Sequence, residues 1–364
     1  MSIDVEGTTP AGGIASDRRP ARLRRARSAL GMLALATVAA ALAAIAHGAI
    51  FISPLEILRA VPAAMGLTSQ GIDPLTASVL FQIRLPRVAL ALAVGAGLGI
   101  SGAVLQGLFR NPLADPGLIG VSSGAGLAAV ATIVLGGSLP GLAGIFALPL
   151  AAFLGGMVTT VVVYNVVGER GGAATAMLLL AGIAVNAMAS AGMGILTYIS
   201  DDSQLRELTF WLMGSVGGAT WAVAAPASFL IALAICLLLP IAGPLNVYLL
   251  GEAEARHLGI DVRRLKRTAI LATALAVGAA VAVSGIIGFI GLVVPHLVRL
   301  IAGPDHRFVL PGAGLLGATL LCGADILART LVVPAELPIG LVTSLVGGPF
   351  FLWLLLRRRA DGGS

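Results

Sequence analysis

The sequence predicts an all-α, polytopic membrane protein with about ten transmembrane helices in each protomer. Three observations carry that prediction. Hydrophobic residues make up 58% of the 364 and charged residues only 11%, too few to clothe the surface of a water-soluble fold. Apolar runs of about 18 residues or more, each long enough to cross a bilayer, recur along the chain. The runs are solid blocks, whereas a transmembrane barrel would show weak alternation.

Taken in order, the chain opens with a polar segment, residues 1–27, that turns arginine-rich from Arg18 to Arg27. It reads as a disordered cytoplasmic tail, and the apolar run after it is too long for a secretory signal. Spans are expected over 28–49, 86–109, 117–136, 143–167, 177–199, 222–243, 268–284, 286–302, 308–327 and 338–356. The transmembrane body therefore covers 28–357, and 358–364 form a short tail. Arginines cluster on the cytoplasmic side of membrane proteins. Arg18–Arg27 and Arg357–Arg359 place both termini there, which an even number of spans satisfies. Arg110, Arg170, the 251–267 stretch, Arg299 and Arg307 then fall inside, while Asp201, Asp202 and Glu207 fall outside. Glycine pairs at four-residue spacing, such as Gly95/Gly99 and Gly120/Gly124, predict close helix approach in lipid.

Catalytic and metal-binding constellations are not found. Cys236 and Cys322 each stand alone in an apolar run, where core packing is the expected role. "GVSSG" at 120–124 fits a nucleophile-elbow string, but lies in a glycine-rich membrane segment without the strand that elbow needs. A phosphate loop requires glycine before its lysine; the only lysine, Lys266, follows Leu265. The chain therefore cannot bind ATP by that motif, and uphill transport would draw on an ion gradient or on a separate ATPase. Ion-coupled carriers place ionisable groups deep in their spans. Here Glu56, Asp73, Asp115, Asp325 and Glu336 all fall near predicted span ends. The net charge of +6 comes largely from arginines beside spans and calls for no nucleic-acid partner.

One stretch gathers charge unlike the rest. "LLGEAEARHLGIDVRRLKRT", residues 249–268, sits between two apolar runs. Within it "GEAEARHLGI" reads as a short amphipathic helix with Ala253, Ala255 and Leu258 apolar, stopped by glycine at 259. A helix with both signs of charge suits docking in a partner's cleft; a solvated positive-inside loop fits the same residues.

Several long motifs bear a resemblance. They include "RLPRVALALAVGAGLGISGAVLQGLFRNPLADPGLIGVSSGAG" (84–126), "LLLAGIAVNA" (178–187), "FWLMGSVGG" (210–218), "LGEAEARHLGI" (250–260), "SGIIGFIGLVVPHLVRL" (284–300), "GADILAR" (323–329) and "ELPIGLVTSLVGGPFFLWLL" (336–355). Together they resemble the FecCD family, the permease subunits of type II ABC importers for vitamin B12, ferric siderophores and haem. The resemblance runs from about residue 50 to the C-terminus. It implies the vitamin-B12-permease-like fold of ten helices per protomer and a homodimer with the pathway on its two-fold axis. It also implies two ABC ATPase subunits, which alone hold ATP and magnesium, a periplasmic binding protein, and a multi-pass site in the bacterial inner membrane.

Site residues follow from the same resemblance. Gly251, Glu252, Glu254, Arg256, His257, Leu258 and Gly259 match the coupling helix that seats in the ATPase. Arg84, Arg87 and Arg329 match arginines that pair with glutamates of the binding protein; as exposed forks they would fix docking register. Asn111 and Leu113 match a cytoplasmic gate, with Thr175 aligned to its second side. "LTYISDDSQLRELTFWLMGSVGGATW" (196–221) is most similar to the haem branch. The expected cargo is therefore haem, with ferric siderophore and cobalamin as alternatives and no permanently bound cofactor. An ion-coupled secondary transporter is the competing class.

Overall fold

The computed structural model describes residues 18–48, 52, 53, 55–57, 59, 73–136, 141–167 and 174–361. Among these, helices account for the regular structure. In chain order they are α1 (Arg18–Ala46), α2 (Pro74–Phe109), α3 (Val121–Leu135), α4 (Gly141–Val167), α5 (Ala174–Ile199), α6 (Asp202–Met213), α7 (Trp221–Leu238), α8 (Ala242–Tyr248), α9 (Glu252–His257), α10 (Val262–Ser284), α11 (Ile290–Ala302), α12 (His306–Thr330) and α13 (Ile339–Asp361).

Seven helices are long and apolar enough to cross a membrane, and three shorter apolar ones (within α3, α11 and α13) complete the set of ten expected from the sequence. Spans 7 and 8, nearly continuous in sequence, are separated by the non-helical residues 285–289. Three boundaries differ from expectation. α2 begins at Pro74, twelve residues early, because a π-helical turn over Val79–Arg84 carries the helix into Pro86. α10 begins at Val262, because the Asp261 carboxylate accepts the Arg264 N–H at 2.9 Å and caps it. Arg263, Arg264, Lys266 and Arg267 therefore ride on a helix and not in a loop. α1 starts at Arg18, so residues 18–27, expected as disordered tail, are helical.

α2, α10 and α12 form the interior, and α1, α4, α5 and α7 face outward over most of their length. α2 packs on α7, α10, α11 and α12, while α3 packs on α4 and α5. Small residues set the α2 contacts. A Cβ on Gly95 or Gly99 would strike the carbonyl oxygens of Gly317 or Ala313, one turn apart on α12. One on Gly102 would strike the carbonyl of Gly291 on α11. The Gly95/Gly99 spacing thus meets a matching small-residue pair, as close packing in lipid requires. Gly124 likewise abuts Gly155 of α4, whereas Gly120 sits at φ +82° in the turn before α3.

Candidate functional site

The polar side chains collect at the two ends of the bundle. At one end lie Arg84 and Arg87 of α2, Asp325 and Arg329 of α12, and Glu336 in the loop before α13. Arg87 is saturated. Its Nε donates to Asp325 Oδ1 at 2.9 Å, and its Nη1 and Nη2 donate to Glu336 Oε1 and Oε2 at 3.0 and 2.9 Å. Arg329 lies 3.5 Å from the other Asp325 oxygen and donates to the Ala44 carbonyl at 2.6 Å. Arg84 donates to the carbonyls of Ile45 and Ala46, at the end of α1. This corrects the sequence reading. Arg84 and Arg87 are buried, 4% and 6% exposed, and are spent on internal bonds instead of standing as free forks. Burial of an arginine demands such partners, since an unpaired buried charge costs several kcal/mol, about 3–5. The cluster ties α1, α2, α12 and the 331–338 loop together. Glu336 keeps nearly half of its side chain exposed. The Arg87 hydrogen bonds hold the Glu336 carboxyl below its ordinary value, against a smaller opposing effect of burial. Its stabilising contribution is thus complete above the ordinary carboxylate pKa of 4.5 and is lost as pH falls through the lowered one.

The opposite end carries the charged stretch. α9 is a six-residue helix, opened by Gly251 at φ +145° and closed by Gly259 at φ +83°. The Gly259 and Ile260 N–H groups return to the carbonyls of Arg256 and Ala255 at 3.0 and 2.9 Å, the glycine-terminated stop expected from the sequence. Only Ala255 is buried; Ala253, Glu254, Arg256, His257 and Leu258 are exposed. Leu258 is an exposed apolar residue, as is Leu250 before the helix. Glu252 turns inward, pairing with Arg256 at 2.7 Å and with Lys266 of α10 at 2.8 Å. Burial raises its pKa, but the bonds to Lys266 and Arg256 outweigh that and leave it lowered. Glu252 therefore fixes α9 to α10.

The sequence-predicted gate lies at this same end. Asn111 follows α2, and its side-chain oxygen accepts the Leu113 N–H at 2.9 Å, closing a turn at Pro112. Leu113 is exposed. Thr175 falls in the first turn of α5, and its side chain lies outside the described residues. Two neighbours escaped sequence reading. Arg110 ends α2 at φ +50°, a left-handed conformation costing a non-glycine residue about 1–2 kcal/mol. Its guanidinium donates to the Tyr248 carbonyl at 2.9 Å and lies 4.7 Å from the Tyr248 ring centre. Tyr248, the last residue of α8, is 2% exposed. Its only sequence signal was an aromatic at the edge of a charged stretch.

Among the described residues no group of three His, Cys, Asp or Glu converges as a metal site would. Met188 and Tyr198 are exposed on α5.

Residues 35–357 match the FecCD transport family. The chain belongs to that family. Over 282 residues this FecCD chain is 54% identical to the hemin transport system permease protein HmuU of Yersinia pestis, covering 77% of the chain and 84% of that protein. It is 45% identical over 286 residues to the vitamin B12 import system permease protein BtuC of Klebsiella pneumoniae, with coverages of 78% and 84%. It shares its fold with a solved structure described as an inward-facing metal-chelate type ABC transporter. That likeness has a TM-score of 0.78 and 35% identity, and covers 90% of this chain and 98% of that one. The fold expected from the FecCD resemblance is the fold observed.

Proposed function

We propose that the chain is the transmembrane permease subunit of an ATP-driven ABC importer that moves haem inward from a periplasmic binding protein. It works as a homodimer in the bacterial inner membrane, with two ATPase subunits bound at the α9 end and both termini cytoplasmic. The observation that carries the reading is α9. It is an isolated short helix, anchored to α10 through Glu252 and Lys266, that turns Glu254, Arg256, His257 and Leu258 outward. An anchored helix with an exposed face of mixed charge and one apolar residue suits a cleft that must push on it. Asn111 and Leu113 at the same end serve as the cytoplasmic gate, with Thr175 opposite.

Arg84, Arg87 and Arg329 serve the binding-protein face from within. They lock the ends of α1, α2 and α12 and hold Glu336 at the surface, so the docking face keeps its shape. Haem as cargo draws support from the 54% identity to a hemin permease. A ferric siderophore or cobalamin is the second reading, favoured by the similarity to a vitamin B12 permease and to a metal-chelate transporter. An ion-coupled carrier fits less well. Among the described residues the one fully buried acid, Asp325, is paired with Arg87 and is not poised to load an ion.

The test is uptake into proteoliposomes holding the chain with its ATPase and binding protein. Haemin, a ferric siderophore and cobalamin are offered separately, with and without internal ATP. ATP-dependent accumulation of haemin alone is expected. ATP-dependent accumulation of another cargo replaces haem and keeps the importer. Accumulation without the ATPase overturns the importer reading.

A further inference from the structure

Between α9 and the end of α2 a continuous set of contacts runs through one aromatic ring. Glu252 on α9 pairs with Lys266 at 2.8 Å. The Lys266 ammonium lies over the Tyr248 ring, 5.8 Å from its centre. The Arg110 guanidinium lies over the same ring at 4.7 Å and also holds the Tyr248 carbonyl at 2.9 Å. That carbonyl accepts the Gly251 N–H as well, at 3.2 Å, so it also fixes the start of the α9 turn. Both cations are within the roughly 6 Å at which an aromatic face attracts a positive charge.

Arg110 is the residue next to Asn111, and it is strained. Arginine gains nothing from a left-handed φ of +50° that glycine would adopt freely. The backbone bonds of this cap, Arg110 N–H to the Gly107 carbonyl at 3.3 Å and Asn111 N–H to the Gln106 carbonyl at 3.1 Å, ask for no side chain. What the arginine adds is its grip on Tyr248. Strain held in place by a specific contact is a feature of elements that have two arrangements.

We propose that the buried Tyr248 ring, clamped by Arg110 and Lys266, is the positioning element that transmits displacement of α9 to the Arg110–Asn111 turn at the end of α2. The proposal rests on α9 being the ATPase-docking helix and adds the route by which it moves the gate. Tyr248 acts through its ring face, so the hydroxyl is dispensable. Arg110 and Tyr248 act as one unit, so losing both costs no more than losing either.

The experiment uses the full complex in proteoliposomes and reads cargo taken up per ATP hydrolysed, with haemin as probe, or whichever of the three cargoes the wild type accumulates. ATPase retained on the purified permease is measured alongside. Tyr248→Leu is expected to keep the ATPase bound and hydrolysing while uptake per ATP falls about tenfold. Tyr248→Phe is expected to stay within about twofold of wild type. Arg110→Gln, at an exposed position, is expected to match Tyr248→Leu, and the double variant to be no worse. It also serves where Tyr248→Leu fails to fold. Unchanged uptake per ATP in Arg110→Gln, or additive losses in the double variant, overturns the clamp. Loss of bound ATPase in either single variant also overturns it, by making the pair part of the docking surface. A wild-type permease that retains no ATPase brings down the docking reading of α9 itself.

Discussion

Arg87 engages a buried and an exposed carboxylate at once, and the two make unequal demands on it. Asp325 is fully buried, and without Arg87 it would keep only the longer 3.5 Å pairing with Arg329 inside the bundle, a loss of up to about 3–5 kcal/mol. Glu336 is nearly half exposed, and an exposed ion pair contributes about 1 kcal/mol or less. Arg87→Met is therefore expected to lower the thermal unfolding midpoint of the purified permease strongly, and Glu336→Gln only slightly. Equal drops would mean that Arg329 compensates Asp325 by itself. The same geometry reshapes what charge reversal at this end can report. Arg87→Glu would set a third carboxylate against Asp325 and Glu336, so weakened binding-protein docking would follow from damage to the fold. Sequence reading found the arginines but assigned them to solvent. Asp325 and Glu336 lie 238 and 249 residues from Arg87 in the chain, and no local spacing reveals which acid reaches which base.

At the scale of elements, the packing of α2 depends on missing side chains. Gly102 has no room for a methyl group against the Gly291 carbonyl, whereas Gly31 on α1 has open space around it. Gly102→Ala must push α2 off α11 and is expected to destabilise by about 1–3 kcal/mol, as overpacking does. Gly31→Ala should leave the unfolding midpoint unchanged or raise it slightly, since alanine favours a helix interior over glycine. A harmless Gly102→Ala would show that α11 shifts freely. Glycine spacing on α2 was readable as a packing signal, and α12 supplied the matching pair. Helix ends were less legible. The π-helical turn at Val79–Arg84 and the Asp261 cap lengthen α2 and α10 beyond their apolar blocks, because hydropathy records where lipid begins and says little about where helical bonding stops.

For the whole molecule, the exposed face of α9 should decide assembly. Leu258 is apolar and 63% exposed, so its burial in a partner would release water from that surface. Leu258→Glu is expected to reduce ATPase retained on the permease at least tenfold without changing the unfolding midpoint. Full retention would move the docking surface elsewhere. The division of polar groups between two ends separates the proposed tasks: binding-protein docking above Glu336, and energy input and gating around α9, Tyr248 and Asn111.

The amino-acid sequence by itself determined the membrane-spanning class, the ten apolar helices, the short charged helix and the FecCD resemblance. Each is written in local composition or contiguous motif, and a bilayer punishes any other arrangement of unsatisfied backbone. Tertiary structure alone decided which charges are spent inside. It turned Glu252 toward Lys266, sealed Arg84 and Arg87 from solvent, and brought Arg110 onto Tyr248 across 138 residues. Those outcomes follow from burial. A charge moved out of water must find its counter-charge wherever the packed helices place one, and that partner is fixed by the fold and not by its neighbours in sequence.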